Sequence, residues 1–133
     1  MTVHLLDANV LIALTLAEHE HHATASTWAA GVDRVAVCPI VEGALIRFLV
    51  RMGESATAAA SVLRAVRAMP RCEFWPDSLS YADADLVRVR GHRQVADAYL
   101  AGLAAAHDGV LATFDRGLAQ EAPDRIVLVG QSV

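Results

Sequence analysis

The chain has 133 residues, 55% of them hydrophobic, and a formal net charge of −4. This fits one domain over residues 1–133, with an ample core and no linker or low-complexity segment. No apolar run is long enough to span a bilayer, and no signal-peptide pattern opens the chain, so the expected compartment is the cytoplasm.

Val3 to Leu6 reads as a short apolar strand, and Ala8 to Leu16 as a helix that Asp7 is placed to cap. His21 to Ala30 reads as a second helix ended by Gly31. Arg34 to Cys38 is a strand. Pro39 opens a helix to about Met52, with Gly53 as its stop. Ser55 caps a helix through Met69, and Pro70 closes it. Cys72 to Trp75 is a strand, Ser80 to Val89 a short helix, and Gln94 to His107 a longer Ala-rich helix. Asp108-Gly109 is a turn. Val110 to Thr113 is a strand, Gly117 to Glu121 a helical turn, and Ile126 to Val129 the last strand. Alternating strands and helices imply an α/β fold with a parallel sheet covered on both faces. Ligands of such sheets bind beyond the carboxyl ends of strands, where the strand order reverses. Asp7 and Asp115 both lie just past strand ends.

Four acids occupy special positions: Asp7, Glu42, Asp97 and Asp115. Taken singly, each has a plain explanation. Asp7 is a good helix cap, and Asp115 in Phe-Asp-Arg-Gly is ordinary turn chemistry. Glu42 lies on the narrow polar stripe of an apolar helix. Asp97 faces Ala101 and Ala104 at helical spacing, which suits helix packing. Brought together, however, four carboxylates repel one another, and a divalent cation among them resolves the repulsion. Without these four, 15 − 4 = 11 acids balance 11 bases, so the remaining surface is neutral rather than hostile to nucleic acid. All eleven bases are Arg, whose planar fork suits phosphate, although a genome-wide bias toward Arg gives the same count.

Four segments carry a resemblance. They are Leu6-Asp7-Ala8-Asn9-Val10-Leu11, Pro39-Ile40-Val41-Glu42, Val95-Ala96-Asp97-Ala98-Tyr99-Leu100-Ala101 and Thr113-Phe114-Asp115-Arg116-Gly117. In this order and spacing the chain resembles PIN-domain ribonucleases, and among them the VapC-type toxins of bacterial toxin–antitoxin pairs. The resemblance implies a three-layer α/β/α PIN-like domain whose five-stranded parallel sheet has the order 3-2-1-4-5. It implies Mg2+ or Mn2+ held by acidic side chains, hydrolytic cleavage of an RNA substrate, a cognate VapB-type antitoxin and a homodimer. Asp7, Glu42, Asp97 and Asp115 match the acidic quartet, and Asn9 and Thr113 match polar positions that shape the site. In the expected chemistry Asp7 and Asp97 hold a first ion, with Asp115 direct or through water. Glu42 positions or deprotonates the attacking water, or holds a second ion. The competing possibility is a catalytically weak PIN-like module that acts by docking a partner.

Other features point less clearly. His19, Glu20, His21 and His22 do not form a His-Glu-x-x-His motif, and they read as polar residues at a loop–helix junction rather than a transition-metal site. Arg88, Arg90, His92 and Arg93 precede Asp97. They are either favourable charge at a helix C-terminus or a phosphate-gripping edge, with Arg90, Arg93 and Arg116 as candidate RNA contacts. Trp28 and Trp75 read as packing residues rather than base-stacking platforms. Cys38 and Cys72 lack metal-ligand spacing and read as free buried thiols. The absence of any Lys excludes a receiver domain, a haloacid-dehalogenase-like phosphatase and a P-loop NTPase, each of which needs one.

Overall fold

Short β-branched and leucine-rich runs form five parallel strands in the computed structural model, which describes residues 1–130. The strands are β1 (Val3–Leu6), β2 (Arg34–Val37), β3 (Cys72–Phe74), β4 (Val110–Thr113) and β5 (Ile126–Leu128). Their order is β3-β2-β1-β4-β5, so the order reverses beside β1. Six helices connect them: α1 (Ala8–Thr15), α2 (His22–Ala30), α3 (Pro39–Arg51), α4 (Ala56–Arg67), α5 (Val95–Ala106) and α6 (Arg116–Glu121). Right-handed crossovers place α1 to α4 on one face of the sheet and α5 and α6 on the other, giving three layers. Among the described residues no helix is long and apolar enough to cross a membrane.

The central strands are covered on both faces, which is why they read as continuous apolar runs. Leu5, Leu6, Leu111 and Ala112 are all buried. A leucine fully removed from water contributes roughly 1.5–3 kcal/mol, so the β1–β4 pair is a firm base for whatever extends past it. Its register pairs Leu5 with Leu111 and Leu6 with Ala112. The turn before β4 helps fix that register. Asp108 adopts a positive φ of 56°, and a Cβ on Gly109 would fall 2.6 Å from the Val3 carbonyl oxygen and 2.9 Å from the Trp75 ring. Only glycine lets β4 approach β1 so closely at this point.

Caps follow the expected chemistry. Asp7 Oδ1 accepts from the Ala8 N–H at 2.8 Å, Ser55 Oγ accepts from the Ala58 N–H at 3.0 Å, and Pro39 occupies the first turn of α3. One expected element is absent. Residues 80–89 form no helix; a single 3-10 turn, Tyr81–Asp83, is followed by an open loop. Side chains there serve the local backbone instead. Ser80 Oγ accepts from the Ala82 N–H and Asp85 Oδ1 from the Val87 N–H, a competition that Ser and Asp commonly win. Arg88 and Arg90 therefore do not sit at a helix C-terminus, and that explanation of the basic run falls. A second 3-10 turn, His92–Gln94, leads directly into α5.

Both tryptophans pack rather than wait for a base. Trp28 meets His4 edge-on at 5.3 Å, and buried Trp75 stacks on His107 at 4.1 Å while its Nε1–H donates to Glu73. Cys38 is buried as expected, whereas Cys72 is only half-buried; both are free thiols.

Candidate functional site

Asp7 is the residue most tightly framed. Its backbone N–H donates to the Ala112 carbonyl at 2.9 Å, extending the β1–β4 ladder by one rung. This sets its side chain beside Thr113 on the neighbouring strand. The Thr113 hydroxyl is buried and donates to Asp7 Oδ2 at 2.8 Å. With Oδ1 held by the Ala8 N–H, both carboxylate oxygens are oriented. Burial pushes the Asp7 carboxyl above its usual range, the hydrogen bonds from Thr113 and Ala8 oppose this, and the charge of Asp115 adds to it.

Thr113 serves a second neighbour. Its Oγ1 accepts from the Asp115 N–H at 3.1 Å, so one hydroxyl fixes the strand-end acid of β1 and the backbone of the strand-end acid of β4. Asp115 is exposed and caps α6, its Oδ1 accepting from the Leu118 N–H at 3.1 Å. Asp97 arrives from a different direction, in the first turn of α5, where the helix dipole favours a negative charge. Its carboxyl is nevertheless pushed up to about 6, first by burial and then by the charges of Asp7 and Asp115. The two strand ends and the α5 terminus thus deliver three carboxylates that act on one another beside the sheet's order reversal.

Glu42 stands apart. It lies in the first turn of α3, half-buried, and its Oε2 is buried without a hydrogen-bond partner. Burial raises its carboxyl, Arg67 counters the rise, and Asp77 adds to it. The same Asp77 acts on Cys38 and on Tyr99, whose buried hydroxyl also lacks a partner. Asp77 escaped the sequence reading, although it follows β3 much as Asp7 follows β1 and Asp115 follows β4. A systematic look at acids just past strand ends would have found it.

The remaining expected positions divide similarly. Thr113 is central, whereas Asn9 is exposed on the first turn of α1 and Arg116 is exposed beside Asp115. Arg90 and Arg93 are exposed in the segment entering α5, where the Gln94 side chain accepts from the Arg90 N–H at 2.6 Å. In the histidine group, His22 Nδ1 lies 2.8 Å from the Ala13 carbonyl, which ties α2 to α1, while the His21 ring lies 5.1 Å from Phe114.

The donors fit a hard divalent cation. All three grouped side chains are carboxylates, and their mutual repulsion is what a positive charge would relieve. Among the described residues no three His, Cys, Asp or Glu side chains stand close enough to grip one ion unaided.

Three comparisons bear on this geometry. Residues 4–122 match the family model for the PIN domain. The chain is 57% identical over 130 residues to Ribonuclease VapC29 of Mycobacterium tuberculosis, covering 97% of each chain. Among solved structures, M. tuberculosis VapC20, a sarcin-ricin loop cleaving toxin, superposes with a TM-score of 0.70 at 20% identity, covering 99% of this chain and 100% of that one. VapBC2 from Rickettsia felis, solved bound to a promoter DNA fragment, gives a TM-score of 0.66 at 16% identity, covering 96% and 99%.

Proposed function

This chain belongs to the PIN-domain family, and we propose that it is the toxin of a toxin–antitoxin pair, an endoribonuclease that depends on Mg2+ or Mn2+. The observation that carries the proposal is that Asp7 and Asp115 both act on Asp97, whose carboxyl is pushed up to about 6 by burial and by those two charges. The relative at 57% identity over nearly the whole chain bears the name ribonuclease, which supports the substrate class. The fold shared with VapBC2 from Rickettsia felis supports a VapB-type antitoxin as partner. A homodimer and a cytoplasmic location complete the proposal.

When bound, the ion lowers the pKa of a coordinated water and offsets charge on the phosphate. Asp7 and Asp97 would hold it, with Asp115 direct or through water. Thr113 and the α1 backbone keep Asp7 from turning away, so little reorganisation is needed on binding. Glu42, outside the trio, orients or deprotonates the attacking water, or serves a second ion. The water oxygen bonds to phosphorus in line with the P–O3′ bond, which breaks. The leaving 3′ oxygen takes up a proton, giving a 3′-hydroxyl and a 5′-phosphate. Asn9 and Thr113 shape the crevice, and Arg90, Arg93 and Arg116 are exposed where they can hold the RNA backbone.

The test is cleavage of RNA by the purified chain with Mn2+, with chelator, and in the Asp97→Asn variant. Metal-dependent cleavage that leaves 5′-phosphate ends, and that is lost in Asp97→Asn, is the expected result. Equal cleavage by the highly purified variant would overturn the assignment.

A further inference from the structure

Helix α5 borders a cavity of about 400 Å3 that none of the four acids lines. It lies between α5 and α6 and is closed above by the loop that replaces the expected helix at residues 80–89. Ala98, Ala101, Gly102 and Leu118 supply apolar lining, and Arg88, Gln94, Arg125 and three acids, Asp85, Glu121 and Asp124, line it as well. The size falls in the range of small-ligand sites, and an apolar floor with a few polar groups at the rim is their usual composition.

Two features tie this cavity to the acidic crevice. Ala101 lies four residues after Asp97, hence on the same side of α5 and about 6 Å further along it. On α6, Leu118 is the residue whose N–H is capped by Asp115. The loop joins the two regions as well. The Arg88 guanidinium donates to the Glu121 carbonyl across the cavity, and Gln94 holds the Arg90 and Gly91 N–H groups. Arg90 and Arg93 are exposed in the segment that joins this loop to α5. A chain whose phosphate lies at the acids can set its next backbone charge against these guanidinium groups. A flat ring one step along then meets a floor of small side chains, with hydrogen-bonding groups of both kinds at its edge.

We propose that the α5–α6 cavity is a nucleobase pocket that receives one base of a single-stranded RNA beside the phosphodiester at the acidic site, and so sets the sequence at which the chain cuts. The proposal rests on the ribonuclease reading for its purpose but not for its test. The metal-free Asp97→Asn protein is titrated with the four nucleoside 5′-monophosphates and with ribose 5-phosphate, which carries the phosphate without a base, and backbone amides are followed by NMR. At least one nucleotide should shift Ala101 and Leu118 while ribose 5-phosphate leaves them unmoved. Adding Ala98→Leu, which fills the cavity from α5, should weaken that nucleotide about tenfold. Should that variant fail to fold, Ala122→Leu fills the cavity from the end of α6. Shifts that ribose 5-phosphate reproduces, shifts confined to the arginine loop, or an unchanged affinity in a folded filled variant would each overturn the pocket. None of these results touches the ribonuclease reading, which is decided separately by cleavage with the unmodified chain.

Discussion

Acids stand past the ends of β1 and β4 and also past the ends of β2 and β3, yet the two regions treat charge differently. At β1 and β4, Thr113 and two helix caps orient Asp7 and Asp115, and α5 adds Asp97 with no cation among the groups that set its charge. At β2 and β3, Glu42 sits with Arg67 and Asp77, and Arg67 already draws its carboxyl back toward the ordinary range. The first region concentrates negative charge in a fixed frame, whereas the second partly neutralises it. A site that must attract a cation needs the first arrangement, and a group that orients a water can work from the second.

Replacing Asp97 by Asn should break the first region outright. RNA cleavage should fall about a thousandfold or more, as expected when a metal-holding carboxylate is lost, while circular dichroism shows an intact fold. Glu42→Gln sharpens the contrast. Its turnover should fall about a hundredfold, the scale of a lost general base, with Mn2+ affinity within about twofold of the parent. A large loss of affinity in Glu42→Gln would place Glu42 with the trio and erase the distinction. Thr113→Val removes the shared hydroxyl at nearly constant volume. It leaves Asp7 Oδ2 and the Asp115 N–H without that partner, so metal affinity should drop about 10- to 100-fold and stability by about 1–3 kcal/mol in denaturant unfolding.

Asp97 also makes a prediction about pH. Its folded carboxyl lies at about 6, above its ordinary 3.8, so the folded chain binds that proton more tightly than the unfolded chain. The metal-free protein should therefore lose stability as pH rises from about 4 through 6. Asp97→Asn should be about 1–2 kcal/mol more stable than the parent at pH 7, allowing for solvent screening, with the gain vanishing below about pH 4. A gain of equal size at every pH would mean that Asp97 is not crowded by like charge. The smallest effect concerns the rim. Replacing both Arg90 and Arg93 by Gln should reduce the salt-dependence slope of RNA binding by about 1.4 if each touches one phosphate of a single strand.

Much of the trio's position was legible in the chain. Asp7 and Asp115 follow apolar runs, so a strand reading puts them at the crevice. Asp97 was suspect because Ala101 and Ala104 follow it at helical spacing. The strand order itself came from the family resemblance, since periodicity does not say which strands are neighbours. What stayed hidden depends on contacts between distant residues. Thr113 and Asp7 are 106 residues apart, and nothing in either segment announces that one hydroxyl will serve both Asp7 and Asp115. The charges that Glu42 meets are hidden for the same reason, because Arg67 and Asp77 lie on other elements. The failed helix at residues 80–89 has a local cause that could have been read: Ser80 and Asp85 bond to their own backbone and leave Val87 exposed. That loop in turn closes the α5–α6 cavity, so missing one meant missing the other.

Binding of Mn2+ to the purified, chelator-stripped protein, followed by the loss of the free-ion electron paramagnetic resonance signal, puts the whole scheme at stake without relying on RNA. Saturable uptake at neutral pH should weaken as pH falls below about 6 and disappear in Asp97→Asn, while Glu42→Gln keeps it. Uptake of the same strength in Asp97→Asn, or none in the unmodified chain, would contradict a cation cup built from Asp7, Asp97 and Asp115.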